Sequence, residues 1–125
     1  MYNKAILIGR MTANPELKKT QTGSYVTSFS IACGRRYSKD GERKADFINI
    51  VAWMHNAEFV CKYFLKGDVI GIDGSIQTRT YEDKNGIKHY STEIIAENVF
   101  FVGGKRTNAS SSITETDDDI DESEE

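Results

Sequence analysis

The stretch that decides the fold runs from Asp46 to Trp53 and reads DFINIVAW. Its β-branched and aromatic residues predict a strand, and successive side chains of a strand point to opposite faces. One face is then plainly apolar, and the other has a large aromatic side chain near each end with an amide between them. The apolar face carries Ile48, Ile50 and Ala52, and the other carries Phe47, Asn49, Val51 and Trp53. At about 3.3 Å per residue the two aromatics stand about 20 Å apart, which suits several bases better than one small ligand.

Two neighbouring segments also place an aromatic side chain beside arginine, each at the edge of a predicted strand. Gly34–Lys39 reads GRRYSK and Gln77–Tyr81 reads QTRTY. Aromatic rings interleaved with basic side chains suit single-stranded nucleic acid, because every base has a π-face and every nucleotide a phosphate. The alternative is that both faces of the central strand are buried in the middle of a β-sandwich.

The charge of the chain is divided between a basic body and an acidic end. The net charge is −3, but all 16 lysines and arginines lie in residues 1–106 together with 11 acidic residues. Residues 107–125 hold the other 8 acidic residues and no basic ones. A body of charge +5 is compatible with a nucleic-acid partner, whereas the whole-chain total is misleading.

The length of 125 residues predicts one domain with a modest core. No apolar run approaches the roughly 20 residues that span a bilayer, and the start of the chain does not resemble a signal peptide. The two cysteines, Cys33 and Cys61, fall inside predicted regular elements. Free thiols in a reducing compartment are therefore expected, and with them a cytoplasmic protein.

Hydrophobic periodicity and turn residues predict three strands, one helix and two further strands. Asn56 is expected to cap the helix and Gly67 to follow its last turn, while Asp83–Gly86 forms a hairpin turn. The predicted strands are Lys4–Met11, Tyr25–Gly34, Asp46–Trp53, Val69–Arg79 and Lys88–Val102, and the predicted helix is Asn56–Lys66. This order fits an all-β, five-stranded, partly open Greek-key barrel with the helix between strands 3 and 4, the OB fold. An unrelated small sandwich is the alternative.

Three strands make more detailed predictions about their faces. The first strand is apolar on both faces, which favours a subunit contact over burial beneath another element. The second presents small residues on one face, which would leave room for a nucleic-acid strand. The inward side chains predicted for the fourth strand are Ile70, Ile72 and Ile76. Residues 1–104 are expected to form the domain, and residues 105–125 a disordered acidic tail.

Several of these segments, taken together, resemble the bacterial single-stranded DNA-binding protein family, SSB. The resemblance covers about residues 1–104 and includes the order and spacing of every predicted element. The segments that carry it are Asn3–Arg10 (NKAILIGR), Asn14–Glu16 (NPE), Ala45–Trp53 (ADFINIVAW), Tyr63–Gly67 (YFLKG) and Gly74–Tyr81 (GSIQTRTY). Chromosomal, phage and plasmid origins all stay open.

The resemblance implies an OB-fold homotetramer that binds and protects single-stranded DNA without sequence preference in replication, recombination and repair. By position, the base-stacking aromatics of the family correspond to Tyr37, Phe47, Trp53 and Tyr81. The basic residues expected at the DNA are Arg35, Arg36 and Arg79, which lie beside proposed stacking rings, together with Lys84, Lys88 and Arg10. No cofactor, no metal and no membrane is expected.

The acidic end departs from the family pattern. Family members close with a short apolar tip containing Pro-Phe that docks partner enzymes. Here Asp117, Asp118, Asp119 and Ile120 resemble the start of that tip, but Asp121–Glu125 follows instead. Recruitment of replication and repair proteins through this tail is therefore in doubt, although the tail can still compete with DNA for the basic groove.

Two other classes of function are alternatives to DNA binding. A protein–protein adaptor built on the same fold would suit the two-sided first strand and the acidic tail, but has no need of rings spaced along a basic groove. An enzyme such as a nuclease would need clustered carboxylates for metal ions, and the sequence has no such close-spaced set and no Walker, Cys-x-x-Cys or HExxH motif. The protein is therefore expected not to be an enzyme.

Overall fold

The computed structural model describes residues 1–36 and 44–103. Over these residues the chain forms six strands and one helix: β1 (Ala5–Met11), β2 (Lys18–Lys19), β3 (Tyr25–Gly34), β4 (Ala45–Trp53), α1 (Met54–Tyr63), β5 (Val69–Glu82) and β6 (Lys88–Phe101). Tyr37 and the predicted tail, with Asp117–Ile120, lie outside the described residues. The predicted domain limit at residue 104 is likewise beyond them.

The five long strands close into a barrel. β1 pairs with β5 on one side and with β3 on the other, and the circuit is completed by β5–β6, β6–β4 and β4–β3 pairs. All pairs are antiparallel except β4–β6, which is a short parallel contact at Ile50↔Ile94 and Val51↔Ile95. The helix connects β4 to β5. The all-β class and the place of the helix between the third and fourth long strands are confirmed, in agreement with an OB-fold barrel.

The core is built from the inward side chains of each strand and closed by the helix. Alternation buries every second residue in the middle of β3, at Thr27, Phe29 and Ile31, as the sequence pattern predicts. β4 and β5 instead bury three consecutive residues each, Ile50–Ala52 and Ile70–Ile72. Fully or nearly fully buried are Met11, Phe29, Ile31, Ile50, Ala52, Ala57, Val60, Phe64, Ile70, Ile72, Ile94 and Ala96. Cys33 and Cys61 are free, half-buried thiols, as expected, and burial raises the pKa of both.

The helix differs from its predicted limits at both ends. It begins at Met54 and ends at Tyr63, so Asn56 lies inside it and does not cap it. The Asn56 side chain instead donates to the backbone carbonyls of Ala96 and Glu97 at 3.3 and 3.2 Å. Met54 has a φ of +53°, an uncommon left-handed conformation that turns the chain from β4 directly into the helix.

The carboxyl end of the helix is set by aromatic packing. Phe64 is extended, with φ −121° and ψ 136°, and its ring is 2% exposed against Phe101 at a centroid distance of 5.1 Å. A further helical turn would carry this ring away from that contact. Gly67 has a φ of +92°, but it lies in a separate turn after Phe64, so its predicted place at the helix end is wrong.

β5 changes its pattern at a β-bulge between Asp73 and Gly74. A Cβ at residue 74 would clash with the backbone carbonyl of Ile95, which explains the glycine. From Ile76 to Glu82 every residue is exposed, because β5 and β6 leave the barrel there as a two-stranded arm. We call residues 76–94 the hairpin arm. The predicted burial of Ile76 is therefore wrong: its side chain is 44% exposed.

The connection between β1 and β3, where no strand is predicted, contains β2. Lys18 and Lys19 pair with Val26 and Tyr25 and extend the sheet beyond β3. Two residues are too few to show an alternating pattern, so periodicity could not reveal this strand. Over residues 1–36 and 44–103, no helix is long and apolar enough to cross a membrane.

Candidate nucleic-acid interface

The outer face of β3 and β4 combines large aromatic and very small side chains. Cross-strand pairs place Phe47 beside Ala32 and Trp53 beside Val26. The Phe47 ring is 71% exposed and the Trp53 ring 43% exposed. Between them Asn49 pairs with Ser30, so nothing bulky separates the two rings. We call this surface, with its continuation onto the hairpin arm, the groove face.

Next to the Asn49–Ser30 pair, the groove face has an apolar patch at Val51. Val51 lies on it by alternation, yet the side chain is only 7% exposed. Its cross-strand neighbours on this face are Ser28 on β3 and Ile95 on β6. Buried Val51 and half-buried Ile95 therefore form an apolar floor between the rings, and the contact with Ile95 explains why Val51 is as buried as a core residue.

The hairpin arm continues the same face. Starting at Ile95 and stepping two residues at a time along β6 leads to His89, which is paired with Tyr81 on β5. Since directly paired residues of an antiparallel ladder point to the same side, Tyr81 shares a face with Phe47 and Trp53. The Tyr81 side chain is 47% exposed. Three of the four predicted stacking rings thus lie on one continuous surface, and the fourth, Tyr37, is outside the described residues.

Two of the predicted arginines, Arg35 and Arg79, are engaged by carboxylates. Arg35 binds Asp46 with both Nε and Nη2, the shortest contact being 2.8 Å, and this bonding lowers the pKa of Asp46. Arg79 contacts Glu93 at 3.2 Å, and its guanidinium carbon lies 5.5 Å from the centre of the Tyr81 ring. Each guanidinium has further N–H groups for a phosphate, but part of its charge is already balanced.

The remaining predicted basic residues are distributed unevenly. Arg36, Lys84 and Lys88 are exposed and have no ion-pair partner among the described residues. Lys84 is in the turn of the arm and Lys88 begins β6. Arg10 is aligned with Ala32, one strand further from Phe47, but its Nη1 donates to the Gly67 carbonyl at 2.7 Å. The guanidinium of Arg10 is thus held at the far edge of this surface.

Two residues of this surface were missed from the sequence. Lys18 pairs with Val26, which in turn pairs with Trp53, so β2 brings a lysine two strands, about 10 Å, from the tryptophan. An open groove of about 250 Å³ runs beside it, lined by Asn14, Glu16 and Ser28 among others. The second missed residue is His89, which stacks on Tyr81. The periodic apolar pattern of β6 gives no sign of this contact.

The described surface offers no evident metal centre. In residues 1–36 and 44–103, no three side chains of the His, Cys, Asp and Glu types come together in a way that could hold an ion. His89 has an acidic neighbour, since its Nε2 lies 2.8 Å from Asp83 Oδ2, but this is a pair rather than a ligand set.

Comparison with known proteins gives one consistent result. The profile of the Single-strand binding protein family matches residues 2–102. The chain is 50% identical over 111 residues to the single-stranded DNA-binding protein of Clostridium tetani, with 86% of this chain and 77% of the relative covered. It is 48% identical over 109 residues to single-stranded DNA-binding protein 1 of Staphylococcus aureus strain Mu50, with 86% and 70% covered. Single-stranded DNA-binding protein 2 of Listeria monocytogenes is 43% identical, with 86% and 68% covered.

Proposed function

The chain belongs to the Single-strand binding protein family, and from this premise we propose that it binds single-stranded DNA without sequence preference along the groove face. The observation that carries the proposal is the set of three exposed rings, Phe47, Trp53 and Tyr81, on one surface. The proposed activity is binding alone, with no catalytic step and no cofactor. A role in replication, recombination and repair, in the cytoplasm, is part of the same proposal.

Base stacking supplies the sequence-independent part of the affinity. Each ring can take one base, and such a contact contributes roughly 1–3 kcal/mol whichever base is present. The small side chains of Ser28, Ser30 and Ala32 leave space for the chain of nucleotides between the rings. The apolar floor at Val51 and Ile95 gives a base a further apolar surface to contact, mainly at the partly exposed Ile95.

Phosphate contacts supply the salt-dependent part. Arg36, Lys18, Lys84 and Lys88 are exposed along or beside this surface and have no ion-pair partner among the described residues. Arg35 and Arg79 must instead share their charge between a phosphate and a carboxylate. We therefore expect unpaired lysines to contribute more to the salt dependence than their distance from the rings suggests. Each phosphate contact adds about 0.7 to the slope of log K against log salt on a single strand.

The test is a titration with unlabelled oligo(dT) at several salt concentrations, followed by intrinsic fluorescence. Trp53 is the single tryptophan of the chain, so quenching reports contact at this position. We expect saturable quenching that weakens steeply as salt rises. The Trp53→Ala variant controls for inner-filter effects, and its binding is followed with labelled oligo(dT). A folded protein that neither quenches nor binds the labelled DNA would refute the proposal and favour the adaptor function instead.

We further propose that the chain assembles with copies of itself, as a tetramer. The supporting observation is the outer face of β1, where Ile6 and Ile8 are 67% and 54% exposed. Ile8 pairs with Gly71, which pairs with Phe100, and the Phe100 ring covers the site of the missing Gly71 side chain. Together these residues present a continuous apolar strip on the outside of the barrel.

Light scattering of an Ile8→Glu variant tests this assembly. The charge would lie in the buried contact, so the mass should fall below that of the wild-type oligomer. Ile87→Glu is the matched control, since Ile87 is 56% exposed at the turn of the hairpin arm, away from β1. An unchanged mass for Ile8→Glu, or an equal loss in the control, would place the contact elsewhere.

A further inference from the structure

In the hairpin arm, the side chains of Asp83, His89 and Tyr81 contact one another in series. Stacking on DNA does not by itself require these contacts. His89 lies directly opposite Tyr81 in the β5–β6 ladder. Their rings are nearly parallel, with an interplanar angle of 20° and a centroid distance of 5.2 Å. One side of the Tyr81 ring is therefore covered by another ring before any DNA arrives.

The His89 imidazole is itself held by Asp83, a residue of the hairpin turn. His89 Nε2 lies 2.8 Å from Asp83 Oδ2. The other carboxylate oxygen, Oδ1, accepts the backbone N–H groups of Asn85 and Ile87 at 2.9 and 3.0 Å. The Asp83 backbone N–H also donates to the Ile87 carbonyl at 3.0 Å. The backbone of the turn thus fixes Asp83, Asp83 fixes His89, and His89 contacts the Tyr81 ring.

The second group on Tyr81 is held less firmly. The Arg79 guanidinium carbon lies 5.5 Å from the ring centre, its side chain is 61% exposed, and Nε makes a contact of 3.2 Å with Glu93. A solvated guanidinium on one carboxylate contact can move aside, or accept a base on its own plane. Arg79 is therefore the exchangeable neighbour of the ring, and His89 the fixed one.

We propose that His89 is a positioning residue for base stacking: held by Asp83, it fixes the Tyr81 ring in the orientation that receives a base. This rests on the proposed function. Tyr81 lies beyond the barrel, where every β5 residue from Ile76 to Glu82 is exposed, so the core does not restrain the Tyr81 side chain. Without His89 the ring would have to be ordered when DNA binds. The ordering of one side chain corresponds to about a 2- to 12-fold loss of affinity.

A double-mutant cycle separates positioning from direct contact. Affinity for a short labelled oligo(dT) is measured at fixed salt for the wild type, His89→Ala, Tyr81→Ala and the double variant. We expect His89→Ala to weaken binding about 2- to 12-fold in the wild-type background. In the Tyr81→Ala background the same change should have no effect, because the ring that it positions is gone. Such non-additivity is the signature of one residue acting through another.

Two further variants make the test specific. His89→Phe keeps a ring against Tyr81 but cannot bond to Asp83, so it should recover part of the affinity that His89→Ala loses. Tyr90→Ala is the matched control, since Tyr90 is the next residue of β6, is 76% exposed and points to the opposite face. It should leave affinity unchanged. Thermal unfolding, followed by Trp53 fluorescence, is expected to be the same for all of these variants.

Each other outcome overturns the proposal. An equal loss from His89→Ala in both backgrounds would mean that the imidazole contacts DNA itself, and no loss would mean that the ring needs no support. If Tyr81→Ala binds like the wild type while Trp53 is still quenched, the positioning role fails and the proposed function stands. If the wild type does not bind oligo(dT) at all, the proposed function fails first.

Discussion

Phe47 offers the sharpest test of the groove face, because it is the most exposed of the three proposed stacking rings. The Phe47→Ala change removes a ring that is 71% exposed, compared with 43% for Trp53 and 47% for Tyr81. It therefore has the most surface for a base to cover. We expect a loss in the upper half of the stacking range, about 2–3 kcal/mol, which corresponds to a 30- to 150-fold weaker Kd.

Stability should hardly change in the same variant. The Phe47 side chain is mostly in water, so it buries little apolar area when the protein folds. Substitutions of exposed side chains usually alter the free energy of unfolding by less than about 0.5 kcal/mol. The assay is fluorescence anisotropy of a short labelled oligo(dT) at low salt, with thermal unfolding measured on the same samples. Tyr90→Ala is the control, because Tyr90 is as exposed as Phe47, at 76%, but faces away from the groove.

The salt dependence adds an internal check. Loss of a stacking contact should lower affinity by the same factor at every salt concentration, because no phosphate contact is removed. A loss below about twofold, or a loss matched by Tyr90→Ala, would refute the assignment of the groove face. A reduced salt slope would indicate instead that the substitution had displaced the neighbouring basic residues.

Three further predictions concern the fold and its pH dependence. Gly74→Ala should lower the free energy of unfolding by about 3 kcal/mol in a denaturant titration, because the new Cβ meets backbone rather than a movable side chain. In the control Gly34→Ala, which has open space around it, the free energy of unfolding should fall by less than about 1 kcal/mol. Met54→Gly should raise stability by about 0.5–1 kcal/mol, since glycine adopts a φ of +53° freely and the side chain is half exposed, whereas Met54→Ala should not. The hydrogen bond from His89 lowers the pKa of Asp83 in the folded protein. The ionised Asp83 carboxylate therefore holds the hairpin turn fully above about pH 3.9, the ordinary pKa of an aspartate, and this stabilisation is lost as the pH falls through the lower pKa of the folded state. NMR shifts of the turn amides should show this step, and Asp83→Asn should abolish it.

Local pattern was sufficient for most of the barrel. Alternation along DFINIVAW predicts which side chains of β4 are inward, and Ile50 and Ala52 are indeed fully buried while Phe47 and Trp53 are exposed. The hairpin turn after β5 was also correctly predicted, because Asp83 accepts the N–H groups of the turn and Gly86 takes a φ of +77°. These features depend on residues close together in the chain, so the sequence carries them directly.

The errors arise where distant segments meet. The helix ends early because Phe64 packs on Phe101, and Asn56 bonds to β6 rather than to its own helix. Ile76 has an inward pattern but is exposed, since the barrel ends before it. The helix end and the Asn56 hydrogen bond each depend on a partner more than thirty residues away in the sequence, whose contacts outweigh the local preference.

Residue pattern alone predicts the order of the five long strands and the helix, the basic body with its acidic end, and the outward direction of the aromatic rings on β4. The folded chain is needed to show that Lys18 lies near Trp53, that carboxylates engage Arg35 and Arg79, and that His89 stacks on Tyr81. The two groups of features differ in whether they depend on neighbouring residues of one strand or on the register between strands. Strand alternation repeats every two residues and is visible in the chain, whereas cross-strand pairing and ion pairs depend on register between strands, which closure of the barrel sets.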